Sequence, residues 1–129
     1  MATAPAFAAT AKAWSGLPVT ADTSLTAPTN AATILTAGAS GSKVDEIIVQ
    51  GVGTTVAGVV NIFLHDGTTY HLVDQFVITA VTSSATAAAY RQSKQYTNLE
   101  MPTGWSLRAS QTIAGNASIL KVSCLGGDF

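Results

Sequence analysis

Charge is scarce in this chain. Six Lys/Arg and seven Asp/Glu make up only 10% of its 129 residues, where an ordinary soluble domain carries about 25%. The two signs nearly cancel, to a net −1, and no basic run forms, which argues against binding nucleic acid by charge neutralisation. Cysteine is nearly absent: Cys124 stands alone. No disulfide can form within this sequence, and the residue is expected as a buried thiol acting as a small hydrophobe. No apolar run is long enough to cross a bilayer as a helix, and no membrane partner is expected. The Ala-rich start lacks a leading basic residue and a continuous apolar stretch, and Pro5 interrupts it. It is therefore read as mature sequence and not as a targeting segment.

What the chain has instead is 22 Ala and 18 Thr. A surface built of such residues has little charge to hold neighbours apart, and it suits a protein packed against other subunits. The length fits one domain able to bury a core without disulfides or metal.

The most structured stretch runs from Val56 to Ile78, where two β-branched and aromatic runs flank Asp66-Gly67. Asp-Gly supplies the left-handed positions of a tight hairpin, taken here as the centre of an antiparallel sheet. Val60, Ile62 and Leu64 share one face, with Asn61, Phe63 and His65 on the other. Beyond the turn, Tyr70, Leu72, Phe76 and Ile78 are expected on one face, interrupted by Asp74. Further strands are expected over 31–37, 43–52, 85–96, 105–110 and 118–125, with a loop at 98–104 and a hairpin turn at Ala114-Gly115-Asn116. Seven or eight short strands punctuated by turns predict an all-β antiparallel β-sandwich over residues 31–129, jelly-roll-like in arrangement.

Residues 1–30 show no helical or strand period. They hold Pro5, Pro18 and Pro28 and isolated apolar residues. They are expected as an extended N-terminal arm resting on a neighbouring subunit, with Phe7, Trp14 and Leu17 as its partner-binding anchors.

Catalytic chemistry finds little support. His65, Asp66, His71 and Asp74 lie close in sequence, but the Asp-Gly has its own turn explanation, and the histidines are expected as exposed hairpin residues. Thr82-Ser83-Ser84 and Ser106 have no evident His/Asp activator. The glycine pairs at 51–53 and 38–41 precede no helix, so no phosphate loop is expected. Trp105 alternates inward with Leu107 and Ala109, leaving Ser106, Arg108 and Ser110 outward. No catalytic residue, cofactor or metal is expected, and the chain is read as not an enzyme.

Several runs occur in a set order: Thr-Ala-Gly-Ala-Ser-Gly-Ser-Lys-Val-Asp-Glu-Ile at 36–47, Gly-Thr-Thr-Val-Ala-Gly at 53–58 and Phe-Leu-His-Asp-Gly-Thr-Thr-Tyr at 63–70. Val-Thr-Ser-Ser-Ala-Thr at 81–86, Leu-Glu-Met-Pro-Thr-Gly-Trp-Ser-Leu-Arg-Ala-Ser at 99–110 and the final Gly-Gly-Asp-Phe follow. From about residue 30 onward the chain resembles small virion-associated structural proteins of tailed bacteriophages and prophages. The resemblance implies a capsid decoration (cement) protein made in the host bacterial cytoplasm and carried on the capsid surface of the virion. The partners it implies are the major capsid protein or other virion subunits. The low charge adds a homo-oligomer, with a trimer as the expected stoichiometry. The alternative is a tail, neck or fibre component with a carbohydrate- or receptor-binding sandwich.

Overall fold

A computed structural model describes residues 9–129. Its strands are β1 (Thr10–Gly16), β2 (Ala32–Thr36), β3 (Ser42–Gly51), β4 (Gly58–His65), β5 (Tyr70–Ile78), β6 (Arg91–Met101), β7 (Ser106–Gln111) and β8 (Leu120–Asp128). They form two four-stranded sheets, β1-β8-β3-β6 and β2-β7-β4-β5, antiparallel throughout. The fold is an all-β sandwich, as the strand pattern predicted. Each strand points alternate side chains inward. Ile47 and Val49 of β3 and Val122 and Cys124 of β8 thereby meet Val60, Ile62, Phe76 and Leu107 of the facing sheet in one core. Each fully buried aliphatic or Phe side chain contributes roughly 1.5–3 kcal/mol.

The hairpin forms where Asp66-Gly67 placed it. Gly67 takes φ +97°, and Asp66 Oδ1 accepts from the backbone N–H groups of Thr68 and Thr69 at 2.9 and 2.8 Å. Its position and its second strand differ from expectation. β5 is the edge of its sheet, not the centre. Ile62 pairs with Asp74 but Phe63 pairs with Leu72, so Val73 is an extra residue that reverses the alternation. Phe76 and Ile78 reach the core, while Tyr70 and Leu72 share the outer face with their partners His65 and Phe63.

The N-terminal region also departs from expectation. Thr10–Gly16 is no free arm: it pairs along its length with β8, from Thr10↔Asp128 to Gly16↔Val122. The segment after it is tied down as well. Asp22 N–H donates to the Gln111 carbonyl at 2.8 Å, and the Asp22 carboxylate accepts from the N–H groups of Ser24, Thr29 and Asn30. Those bonds, led by that from Ser24, hold its carboxyl below the usual range. The division at residue 30 therefore separates no independent unit within the described residues, because the sandwich uses residues on both sides of it.

Two other boundaries move. Residues 84–87 form a short turn, closed by mutual backbone bonds between Ser84 and Ala87, residues 88–90 are irregular, and the strand begins only at Arg91. It runs on to Met101, through residues expected as loop. The turn at Ala114–Asn116 is a single 3₁₀ turn, and it carries the chain from one sheet to the other, so β7 and β8 are not a hairpin.

Candidate functional site

Of the residues proposed to bind a partner, Trp14 and Leu17 are among those described. Trp14 sits opposite Cys124 and packs half-buried against the chain's own core. It therefore anchors β1 on the chain's own core. Leu17, just past the end of β1, is partly exposed. Phe7 lies outside the described residues.

The hairpin histidines split between the two faces. His65 lies on the outer face against Tyr70, ring centroids 4.4 Å apart. His71 pairs with Leu64 on the other side and stacks on Trp105 at 6.1 Å. Its Nε2 lies 3.1 Å from Oδ2 of Asp66. Bonds to the carboxylate, the Thr69 N–H first and then His71 and the Thr68 N–H, lower the Asp66 pKa to about 2. The arrangement fixes the turn. Among the described residues no three His, Cys, Asp or Glu side chains are grouped to hold a metal ion. Cys124 is buried, and burial pushes its thiol up to about 12. Ser106 Oγ faces an arginine, accepting from Arg108 Nε at 3.0 Å.

A different surface stands out, the outer face of the β2-β7-β4-β5 sheet. Opposite the core it presents Ser106, Arg108 and Ser110 from β7, with Asn61, Phe63 and His65 from β4 and Tyr70, Leu72, Gln75 and Val77 from β5. A polar row crosses it: Gln75 Nε2 donates to Asn61 Oδ1 at 2.8 Å, and Asn61 Nδ2 to Ser110 Oγ at 3.5 Å. Beside the row Phe63 is fully buried although it points away from the core, with the edge of Tyr70 packed on it at 5.6 Å. Arg108 Nη1 donates to Tyr70 Oη at 2.9 Å. Towards the margin Leu72 and Val77 are 37% and 66% exposed. The strands of this sheet contain only two fixed charges, Asp74 and Arg108. Asp74 is turned to β6, so Arg108 is the one charge on the outer face.

No protein-family model, curated protein or solved structure matches the chain.

The alternation of β7 already placed Arg108 outward. Its pairing with Tyr70 was hidden, because it depends on the extra residue Val73 turning Tyr70 to that face. Asn61 and Ser110 carried no signal of burial, being polar residues on what the period makes a solvent face.

Proposed function

We propose that the chain is a structural protein of a tailed-phage virion, a capsid decoration protein that stabilises the shell by binding the major capsid protein. The observation that carries this reading is the outer face of the β2-β7-β4-β5 sheet, where Asn61, Phe63, Ser106 and Ser110 are already buried, Arg108 is the one fixed charge, and Leu72 and Val77 stay exposed along the β5 margin. Covering that exposed apolar margin with another protein is favourable. The strand pairing adds support. β1 lies beside β8, β2 beside β7, β3 beside β6 and β4 beside β5, the nested arrangement expected of an eight-strand jelly roll, an architecture used in viral capsid and lectin domains. Fold alone does not decide function, and the ordered motifs that resemble phage virion proteins point the same way. Association into a homo-oligomer, a trimer in this reading, would cover more of the weakly charged surface.

The test is rebinding. Purified protein is mixed with capsids of the encoding phage made without it, and the particles are sedimented. Saturable binding and a raised capsid melting temperature are expected. A chain that stays in the supernatant at micromolar concentration would falsify the decoration reading.

A second reading, a tail, neck or fibre component that binds carbohydrate, draws on the Trp105–His71 stack beside Asp66 at the hairpin end. Aromatic rings next to a carboxylate suit sugar hydroxyls and C–H faces. Binding to host surface glycans that is lost in Trp105→Ala would favour it.

A further inference from the structure

All seven acidic residues of the sequence lie among the described residues. Lys12, Lys43 and Lys94 each have a carboxylate within 4.0 Å, on Asp128, Asp45 and Asp74. Arg91, Arg108 and Lys121 have none among the described residues. Arg91 and Lys121 are exposed and solvated, whereas Arg108 is half-buried. A half-buried arginine without a carboxylate partner stands out on a sheet that carries so little charge.

The guanidinium is also held in place. Nε donates to Ser106 Oγ at 3.0 Å and Nη1 to Tyr70 Oη at 2.9 Å. Its carbon lies 5.5 Å from the Tyr70 ring centroid, and Tyr70 is braced in turn by Phe63 and His65. Both fixing partners are neutral. Arginine has five N–H donors, and those on Nη2 have no acceptor among the described residues. The result is a rigid donor fork on a sheet face that is otherwise without charge.

We propose that Arg108 is the centre of a docking surface for a protein partner that presents an Asp or Glu carboxylate, seated on the free guanidinium N–H groups. The assignment rests on the structural-protein reading above for the kind of partner, and on the uncompensated charge for its chemistry. A planar carboxylate takes two parallel N–H bonds from such a fork. Because Ser106 and Tyr70 already hold the fork, little side-chain freedom is lost on binding. Leu72, on the same face, supplies apolar contact beside the pair.

The experiment has two arms. In the first, the ¹⁵N-labelled full chain is titrated with the peptide acetyl-Gly-Glu-Gly-amide, its Gln counterpart and glucuronate, while the Arg108 Nε–H resonance is followed. A saturable shift with the Glu peptide, absent with the Gln peptide and weaker with glucuronate, is expected. No saturable shift with the Glu peptide, or a stronger response to glucuronate, overturns the proposal. In the second, wild type, Arg108→Lys and Arg108→Met are compared for retention on capsids, with thermal melts confirming that each variant is folded. Retention should fall about tenfold or more in Arg108→Met and by less in Arg108→Lys, which keeps the charge but loses the fork. Equal retention of folded variants overturns the proposal. If wild type itself fails to bind capsids, the decoration reading fails, and the peptide arm alone decides the role of Arg108. Should Arg108→Met not fold, Arg108→Lys and the wild-type titration decide it.

Discussion

Tyr96 on β6 donates its phenolic proton to Oδ2 of Asp74 on β5 at 2.5 Å, across a flank where the two sheets share no ladder. Lys94 joins the same carboxylate through Oδ1 at 2.9 Å and also donates to the Gln75 carbonyl at 2.7 Å. One turn of the ladder away, Tyr90 Oη donates to the Val77 carbonyl at 2.6 Å. Lys94 of β6 and Tyr90 just before it thus cap carbonyls of the β5 edge strand. This both closes the sandwich and takes up acceptors that another strand could otherwise pair with.

Asp74→Asn is expected to cost about 1–2 kcal/mol at pH 7, as charge-assisted bonds are weakened. Burial raises the Asp74 pKa, but the bonds from Tyr96, Lys94 and the Gln75 N–H outweigh it and leave the carboxyl below its usual value. The folded state therefore binds this proton more weakly than the unfolded state. The stabilisation is whole above the unfolded pKa and is lost as pH falls through the folded one. Urea melts should show the gap between wild type and Asp74→Asn shrinking below about pH 4. A gap constant down to pH 2 would remove the clasp from the account of stability.

At the alkaline end the same clasp gives the opposite limb. Burial, then the bond to Asp74, raises the Tyr96 pKa. Its contribution is complete below the ordinary tyrosine value, about 10, and is lost as the pH rises from there towards the folded pKa. Tyr96→Phe should flatten the fall in melting temperature between pH 9 and 11; an unchanged slope counts against this role.

Gly67 and Gly126 should fail for different reasons. A Cβ on Gly67 meets nothing, but the residue sits at φ +97°, so Gly67→Ala should cost about 1 kcal/mol through backbone strain alone. A Cβ on Gly126 would lie 2.0 Å from the Lys43 carbonyl oxygen, beside the β3 irregularity. There the strands must part, and Gly126→Ala is expected to cost several times more. Equilibrium unfolding of the two variants checks the order.

How much of this was legible follows from which strands carry a one-sided pattern. β4 and β7 alternate cleanly, and Asp66-Gly67 marked their neighbourhood, so the hairpin and the core side of β7 could be read directly. β1 could not. It is an edge strand whose Thr10, Ala11, Lys12 and Ala13 are all exposed, and Trp14 alone leans on the core. Two exposed faces leave no period to detect. β6 was misplaced because, as the edge of its sheet, it turns Gln92 and Lys94 towards the flank, where an apolar residue would have marked a strand. The extra residue Val73 had no sequence sign, and it decided which face Tyr70 joined.

Removing residues 1–16 should lower the melting temperature, since β1 covers one edge of β8 and Trp14 contributes apolar burial of about 1–2 kcal/mol for a half-buried ring. Trp14→Ala should reproduce part of the loss. A truncated chain that melts with the full one would show that β1 is only loosely laid on β8.

Cys124 should resist thiol reagents at pH 8 in the native protein, because burial keeps it protonated and inaccessible. Its labelling rate should rise with urea in step with unfolding. Prompt labelling in native buffer would show that the core opens locally near β8.

The nested pairing has a consequence for how the chain is made. β4 and β5 are joined by a short turn and can meet as soon as both have left the ribosome. β3 must wait for β6, and β2 for β7. β1 is translated first of all, yet its partner β8 is translated last of the eight. Until then its Trp14 and the exposed edge of β3 have no resting place. A nascent chain stalled before Leu120 therefore carries β1 unpaired and one edge of β3 open, and this is the interval in which a second nascent copy, or a chaperone, can reach them.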